Sequence, residues 1–326
     1  MDILRKVPEL SLMSFVAGSK TDRTRFVDNV FAGLKEYGFI VLSEHTVDPE
    51  ITKNSYDLIH EFFSMSVEEK KKYVCKEGGG QRGYTSFGVE HAKNSQYPDL
   101  KEFWHVGREV PVGHKYKSLY PDNIWPNDIK GFKEALSNLY FSLEKTSELM
   151  LEAIGMALDV PQNYFKDMIF EGNSILRPIH YPPVGPNAPK NCVRSAAHED
   201  INLITVMVGA TTSGLELLDR DGKWLSVKNN EKQLVVDTGD MLSRLTNDLL
   251  PATTHRVVNP DDVTSHRYSM PFFVHPNPET NLSCIPSCLG NGEKYPPINS
   301  HEFLMKRLQE IGLMKGMTGT TSTTKM

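Results

Sequence analysis

The sequence predicts a β-sandwich or barrel in its second half with helices from its first half packed around it. From about residue 173 the chain breaks into short β-branched or alternating runs separated by turn residues, the pattern of an antiparallel sandwich or barrel. Before that point, apolar residues recur mostly at helical spacing. The 326 residues are 39% hydrophobic and 24% charged, which supplies a sizeable core and excludes disorder for most of the chain.

The elements follow in order. Thr21 to Leu34 carries Phe26, Val27, Val30, Phe31 and Leu34 on one helical stripe, and Gly38 ends it. Phe39-Ile40-Val41-Leu42 is a short apolar run read as a buried strand. Asp48-Pro49-Glu50 opens a helix with an N-cap carboxylate and a proline at its first position, continuing through Leu58, Ile59, Phe62 and Phe63. Ser66 and Glu69 form a capping box for a further short helix. Residues 77–126 are rich in Gly, Pro and polar side chains, including Gly78-Gly79-Gly80, and read as a long loop-dominated segment of the kind that often carries function. A helix resumes at Ile129 with Phe132, Ala135, Leu136, Leu139, Tyr140 and Leu143, and stops near Leu158 before Asp159-Val160-Pro161.

Strands are expected at Leu203 to Val208, Leu215 to Leu218, Gln233 to Asp237 and Tyr268 to Val274, with Asp219 to Gly222 and Thr238-Gly239-Asp240 as turns. Residues 301–313 read as a last amphipathic helix, and Thr318 to Met326 as a disordered tail.

Thirty-six basic against 41 acidic residues leave a net charge of -5, so there is no basic excess to hold a phosphate backbone and nucleic acid is not an expected partner. No apolar run approaches the ~20 residues of a membrane helix, and the first residues lack the apolar core of a secretory signal. The expectation is a cytoplasmic protein whose Cys75, Cys192, Cys284 and Cys288 are free thiols. No P-loop, GxGxxG turn or GxSxG elbow is present.

His198-Glu199-Asp200 is the strongest local signal. In extended backbone residues i and i+2 share a face, so His198 and Asp200 can address one metal while Glu199 points away. His255 opens the β-type run His255-Arg256-Val257-Val258 and is the candidate third ligand. Two histidines and a carboxylate on one side of a metal leave positions open for a chelating 2-oxo acid and dioxygen. An H-x-D triplet alone is common, and a strand histidine is usually a hydrogen-bonded structural residue. Downstream, Arg267 and Ser269 share a face in the strand Arg267-Tyr268-Ser269-Met270-Pro271. Such a pair suits the far carboxylate of a dicarboxylate such as 2-oxoglutarate; the bland reading is an arginine paired with an internal Asp or Glu. A His/His/Asp zinc hydrolase also fits the ligands, but it leaves Arg267 and Ser269 without a role.

Together, His198-Glu199-Asp200, the distal His255-Arg256-Val257-Val258 and Arg267-Tyr268-Ser269 resemble the signature of the isopenicillin N synthase-like branch of the Fe(II)/2-oxoglutarate-dependent oxygenases. Gly38-Phe39 with His45, Arg82-Gly83-Tyr84, Asp99 to Trp104, Arg177 to Pro183, Gly239-Asp240 and Thr246-Asn247 look like further family motifs, so the resemblance spans roughly residues 10–280. Ile179 stands where the family usually has Asn, and the His255-to-Arg267 spacing is longer than usual.

The resemblance implies a mainly β fold with α elements, a double-stranded β-helix (jelly roll) core flanked by helices. Residues 1–170 would be a helical N-terminal region packing on the core, 171–280 the jelly-roll core, and 281–326 a C-terminal helix and tail. It implies Fe(II) on His198, Asp200 and His255, with 2-oxoglutarate on Arg267, Ser269 and Tyr181. A small-molecule substrate would be hydroxylated or desaturated with release of succinate and CO2. Three readings stay open beside it: an isopenicillin N synthase-type oxidase that needs no 2-oxoglutarate, a minor ethylene-forming variant, and a non-catalytic jelly-roll binding protein. The R-x-S pair does not separate the first from a 2-oxoglutarate enzyme. Substrate-pocket candidates are Arg82, Tyr84, Phe87, Phe103 and Phe272, with His91 and His105 nearby in the loop segment. His275 and the three tryptophans, Trp104, Trp125 and Trp224, read as structural.

Overall fold

In the computed structural model the described residues are 5–75, 81–91, 97–185 and 191–310. Gly78-Gly79-Gly80 and the Thr318 to Met326 tail lie outside them.

The chain opens with β1 (Glu9–Ser11) and a single helical turn, α1 (Met13–Val16). Helix α2 (Lys20–Tyr37) starts at a capping box between Ser19 and Asp22 and ends at Gly38, whose φ of 67° is left-handed and whose N–H bonds the Leu34 carbonyl. Then come β2 (Phe39–Ser43), α3 (Pro49–Phe63) capped by Asp48, and α4 (Val67–Lys71) capped by the Ser66/Glu69 box. Strands β3 (Gly83–Thr85) and β4 (Glu102–Gly107) precede the long α5 (Phe132–Ala157) and short α6 (Tyr164–Ile169). Strands β5 (Ile175–Leu176), β6 (Ile179–Tyr181), β7 (Ser195–His198), β8 (Ile204–Val208), β9 (Leu215–Leu218), β10 (Trp224–Ser226) and β11 (Leu234–Thr238) follow. Helix α7 (Asp240–Leu245), β12 (His255–Val257), β13 (Arg267–Val274) and α8 (Ser300–Glu310) complete the order.

The strands form two facing sheets. The larger runs β1-β2-β11-β8-β13-β5-β4-β3, with β6 pairing both β13 and β4, and the smaller runs β10-β9-β12-β7. Strands β2, β8 and β13 of the larger sheet are buried at nearly every position on both faces, which is why their sequences read as largely apolar runs. In β2, Ile40 and Leu42 join the core under the helices, while Phe39 and Val41 join a second core between the sheets. The same alternation sends Val206 and Val208, Leu234 and Val236, and Met270, Phe272 and Val274 toward the helices. Each large apolar side chain so buried contributes about 1.5–3 kcal/mol, so the helical layer anchors the sheet whose other face carries polar groups.

Beside the expected strand at Phe39 to Leu42, which is β2, the first half also supplies β1, β3 and β4 to the larger sheet. Within the segment read as loop, β4 is buried at every position. Its polar Glu102 and His105 hide the strand in the sequence. Glu102 is tolerated inside because Lys70 Nζ sits 2.8 and 2.9 Å from its oxygens, His180 Nδ1 lies 2.8 Å away, and the Tyr84 hydroxyl donates to it. None of those partners is local in sequence. The last helix is seen as Ser300–Glu310, the remainder of the expected span lying outside the described residues. Among the described residues no helix is long and apolar enough to cross a membrane.

Gly38 links this packing to the site described next. A Cβ on it would fall 2.1 Å from Thr253 Oγ1, whereas one on Gly131 (φ 83°) would meet nothing within 4 Å. Gly131→Ala should therefore cost only the left-handed penalty of about 1–2 kcal/mol. Gly38→Ala should cost about 1–3 kcal/mol more through overpacking, read as the difference between their denaturant midpoints.

Candidate active site

Antiparallel pairing of β12 with β7 sets His255 directly opposite His198, with ring centroids 4.4 Å apart. Asp200 lies just beyond the end of β7. Its Oδ1 is 3.9 Å from His198 Nε2 and 3.9 Å from His255 Nε2, and one donor atom from each residue lies within 4.8 Å of the others. Each ring is held by its far nitrogen: His198 Nδ1 is 2.7 Å from the Ala196 carbonyl and His255 Nδ1 is 3.1 Å from that of Thr253. Those bonds place the proton on Nδ1 and leave the Nε2 lone pairs facing the centre. Burial, then the neighbouring His255, pushes the His198 imidazole down to about 4, so it is neutral at neutral pH. Asp200 Oδ2 accepts from Thr205 Oγ1, which in turn accepts from Asn202 Nδ2 at 2.9 Å. This frees Oδ1 for the centre. The donor set therefore fits a divalent metal on one face.

The pairing of β12 with β7 is bulged: His255 faces His198, but Val257 faces Ser195. The extra residue lets both Ser195 and His198 reach the interior, although an unbroken strand would send them to opposite faces.

Arg267 and Ser269 share the inner face of β13, as the alternation requires, and both are buried. Arg267 Nη1 lies 3.3 Å from Ser269 Oγ, Nε donates to the Thr212 carbonyl, and the guanidinium sits 4.9 Å from the Tyr181 ring centroid. Tyr181 is its cross-strand partner on β6. No carboxylate pairs with Arg267 among the described residues, so the bland reading of this arginine fails.

One cavity joins the triad to Arg267, Ser269 and Tyr181, and it is also walled by Lys101, Arg177, Thr205, Met207, Asp237 and Phe273. Lys101 Nζ pairs with Glu90 at 2.8 Å and Asp99 at 2.9 Å. Arg177 reaches Glu90 and His105, with its guanidinium 4.5 Å from the Phe103 ring centroid and 4.9 Å from that of Phe273. Burial pushes the Glu90 carboxyl up, but Arg177 and Lys101 hold it well below the usual range. Burial, aided by Asp200, raises Asp237 well above the usual carboxylate range.

Most of the expected substrate-pocket residues lie elsewhere. Phe272 faces the helices and packs edge-on against Tyr140 at 4.9 Å; its neighbour Phe273 lines the cavity. The period of two counted from Arg267 points to Phe273. Arg82 is buried against Gly107 and donates to the Pro121 and Gln81 carbonyls. Tyr84 turns to Glu102 on the helix side, and Phe87 is exposed. Phe103 lies in the inter-sheet core, and His91 is at the surface. Arg177 escapes sequence reading because Glu90 and His105 reach it from distant segments, and Lys101 and Asp237 because nothing in the sequence marks their charges as buried, although Asp99 stands two residues from Lys101.

A jelly-roll protein with a convergent His/Asp/His face opening beside a carboxylate-free arginine defines the class: a non-haem metal oxygenase. Comparison with known proteins agrees. Residues 172–276 match the model of the 2OG-Fe(II) oxygenase superfamily, and residues 7–128 that of the non-haem dioxygenase N-terminal region named for morphine synthesis. A 2OG-Fe(II) oxygenase family protein from Caulobacter crescentus is 42% identical, with a TM-score of 0.84 over 93% of this chain and 98% of that one. A full-length Neurospora crassa protein, solved in complex with alpha-KG and thymine, is 28% identical, with a TM-score of 0.84 over 95% and 98% of the two chains. The 2-oxoglutarate-Fe(II) type oxidoreductase hxnY of Emericella nidulans is 28% identical over 91% of this chain and 88% of its own. The chain belongs to the 2OG-Fe(II) oxygenase superfamily. It is a 2-oxoglutarate-dependent dioxygenase, with Fe(II) as cofactor and 2-oxoglutarate as co-substrate.

His275 is buried beside this site but stands outside the triad, its Nδ1 3.2 Å from the Phe273 carbonyl. Burial pushes it down to about 4, below the ~6.5 of an unfolded histidine. The unfolded chain therefore takes up the proton first. The stability that His275 contributes is complete above pH ~6.5 and falls as pH drops toward 4, by about 1.4 kcal/mol per unit. Between pH 6.5 and 5, wild type should lose roughly 2 kcal/mol more than His275→Gln in denaturant unfolding.

Proposed function

We propose that this oxygenase hydroxylates or desaturates a small polar molecule, with Fe(II) held by His198, Asp200 and His255 and the far carboxylate of 2-oxoglutarate held by Arg267, Ser269 and Tyr181. The observation that carries this reading is the continuity of one cavity from the triad to a buried arginine with no carboxylate of its own. When bound, the iron supplies the dioxygen chemistry that couples decarboxylation of 2-oxoglutarate to succinate and CO2 with oxidation of a C–H bond.

The chain's own groups do the placing. Thr205 and the Ala196 and Thr253 carbonyls orient the three ligands. Arg267 and Ser269 offer donors to the carboxylate, with Tyr181 stacked beneath the guanidinium. Met207, Leu215, Val257 and Ile179 keep that end of the cavity dry. Lys101, Arg177, Asp237 and Phe273 form another part of the wall, mostly polar, which suits a small substrate bearing hydrogen-bonding groups. Relatives point the same way: the Neurospora crassa protein is solved with thymine and with 5-formyluracil, and a relative from Petromyces alliaceus is named a proline hydroxylase. A cytoplasmic setting accords with the buried thiols Cys192, Cys284 and Cys288, which are free.

A screen of small polar compounds for stimulated succinate release tests the reading. Oxygen uptake with a substrate but no succinate would sink it in favour of the oxidase. Replacing His198, Asp200 or His255 with Ala should reduce Fe(II)-dependent succinate release to background. Arg267→Met should raise the KM for 2-oxoglutarate by about tenfold to a hundredfold, the worth of one charged hydrogen bond, with a much smaller change in kcat.

A further inference from the structure

Of the three triad residues, Asp200 is the one that no strand pairing holds. His198 and His255 face each other on β7 and β12, but residues 199–203 run irregularly from β7 to β8. The first amides of α7 take up the carbonyls of that segment. The Asp240 N–H donates to the Asp200 carbonyl at 2.7 Å, that of Met241 to Asn202 at 3.0 Å, and that of Gly239 to Leu203 at 3.0 Å. The approach is so close that a Cβ on Gly239 would fall 2.2 Å from the Asn202 carbonyl oxygen. The first turn of α7 is therefore the seat of the carboxylate, and α8 anchors that seat. Arg307 Nη2 donates to Asp240 Oδ2 at 2.6 Å, both side chains being mostly buried. Arg307 Nη1 meets Glu310 at 2.9 Å, which aims the guanidinium. Beside the pair, a groove of about 490 Å³ parts α7 from α8, walled by Ser243, Arg244, Phe303 and Lys306 along with Asp240 and Arg307. Without Arg307 the Asp240 carboxylate would be mostly buried and unpaired, which is costly. The first turn of α7 relieves that cost by shifting toward water, and residues 200–203 shift with it.

We propose that Arg307 is a positioning residue for the metal ligand Asp200, acting from α8 through Asp240 and the first turn of α7. The inference rests on the reading of Asp200 as a ligand given above. The two imidazoles are oriented by strand pairing and by the Ala196 and Thr253 carbonyls, so the effect of Arg307 falls on the carboxylate alone. This gives it a signature. Losing the carboxylate's placement harms a metal that favours oxygen ligands, such as Mn(II), more than one that imidazole suits, such as Ni(II). The competing role is a tether that only fastens α8 to the rest of the fold, and a tether leaves the preference between the two metals unchanged.

The test is equilibrium binding of Mn(II) and of Ni(II) to the full metal-free chain, without turnover. Arg307→Met should weaken Mn(II) about tenfold, the lower end of what outer partners of metal ligands contribute. Ni(II) should weaken by less than about threefold. One nitrogen of Arg307 meets Asp240, so a point charge suffices, and Arg307→Lys should stay within about threefold of wild type for Mn(II). Asp240→Asn should reproduce the effect of Arg307→Met. The double variant should lie within about twofold of the weaker-binding single variant, since both changes break one link. Equal weakening of the two metals, unchanged binding of both, or full additivity in the double variant overturns the proposal. If Arg307→Met does not fold, Asp240→Asn decides by the same ratio of Mn(II) to Ni(II) affinity. Asp200→Ala separates the two readings. If it loses Mn(II) while the Arg307 and Asp240 variants do not, only this inference fails; if it binds Mn(II) like wild type, the reading of Asp200 as a ligand fails first.

Discussion

The backbone pairing of β12 with β7 is the constraint on which the site depends. Main-chain hydrogen bonds set His255 across from His198, and the carbonyls of Ala196 and Thr253 then lock both rings with their Nε2 atoms inward. A slip of one residue would turn His255 out of the site, because side chains alternate faces along a strand. The bulge opposite Val257 adds a second consequence: it brings Ser195 into the interior, where it lies 3.2 Å from Lys101 Nζ. A local irregularity thereby connects the metal face to the ionic row of Lys101, Glu90, Asp99 and Arg177.

The larger sheet tolerates a polar interior because its other face is apolar. Along β13, Met270, Phe272 and Val274 pack toward α5 and its neighbours, while Arg267, Ser269, Pro271 and Phe273 face the cavity. The same division runs through β8 and β11, where Thr205 and Asp237 face inward between residues that anchor the strand outward. The helices of the first half therefore stabilise the surface from which the functional groups project. That explains why the N-terminal region is interleaved with the barrel: β2 lies beside β11, and β4 beside β5 and β6.

Much of the fold is legible in the sequence wherever the signal is local. Gly38, the Asp48 cap and the Ser66/Glu69 box mark element ends that the structure reproduces, since capping depends on residues three or four apart. The period of two pairs His198 with Asp200 and Arg267 with Ser269, the β-type run at His255 offers the third ligand, and all five meet at one cavity. β4 is not legible, because its Glu102 is made acceptable inside by Lys70, His180 and Tyr84 from other segments. Arg82 and Tyr84 sit in a loop-rich segment that suggests a pocket, yet Arg82 packs on Gly107 and Tyr84 bonds Glu102 on the far side of the sheet.

The sequence by itself determined which atoms are available for chemistry: two imidazoles and an arginine-serine pair on strands whose alternation decides their faces, and a carboxylate two residues beyond His198. Only the tertiary structure decided which charges may live inside. Lys101, Arg177 and Asp237 became cavity walls, and Arg194 became a fully buried guanidinium, because the burial of a charge is governed by partners and desolvation that only the folded chain assembles. Local periodicity assigns a side chain to a face; it cannot say what will stand across from it.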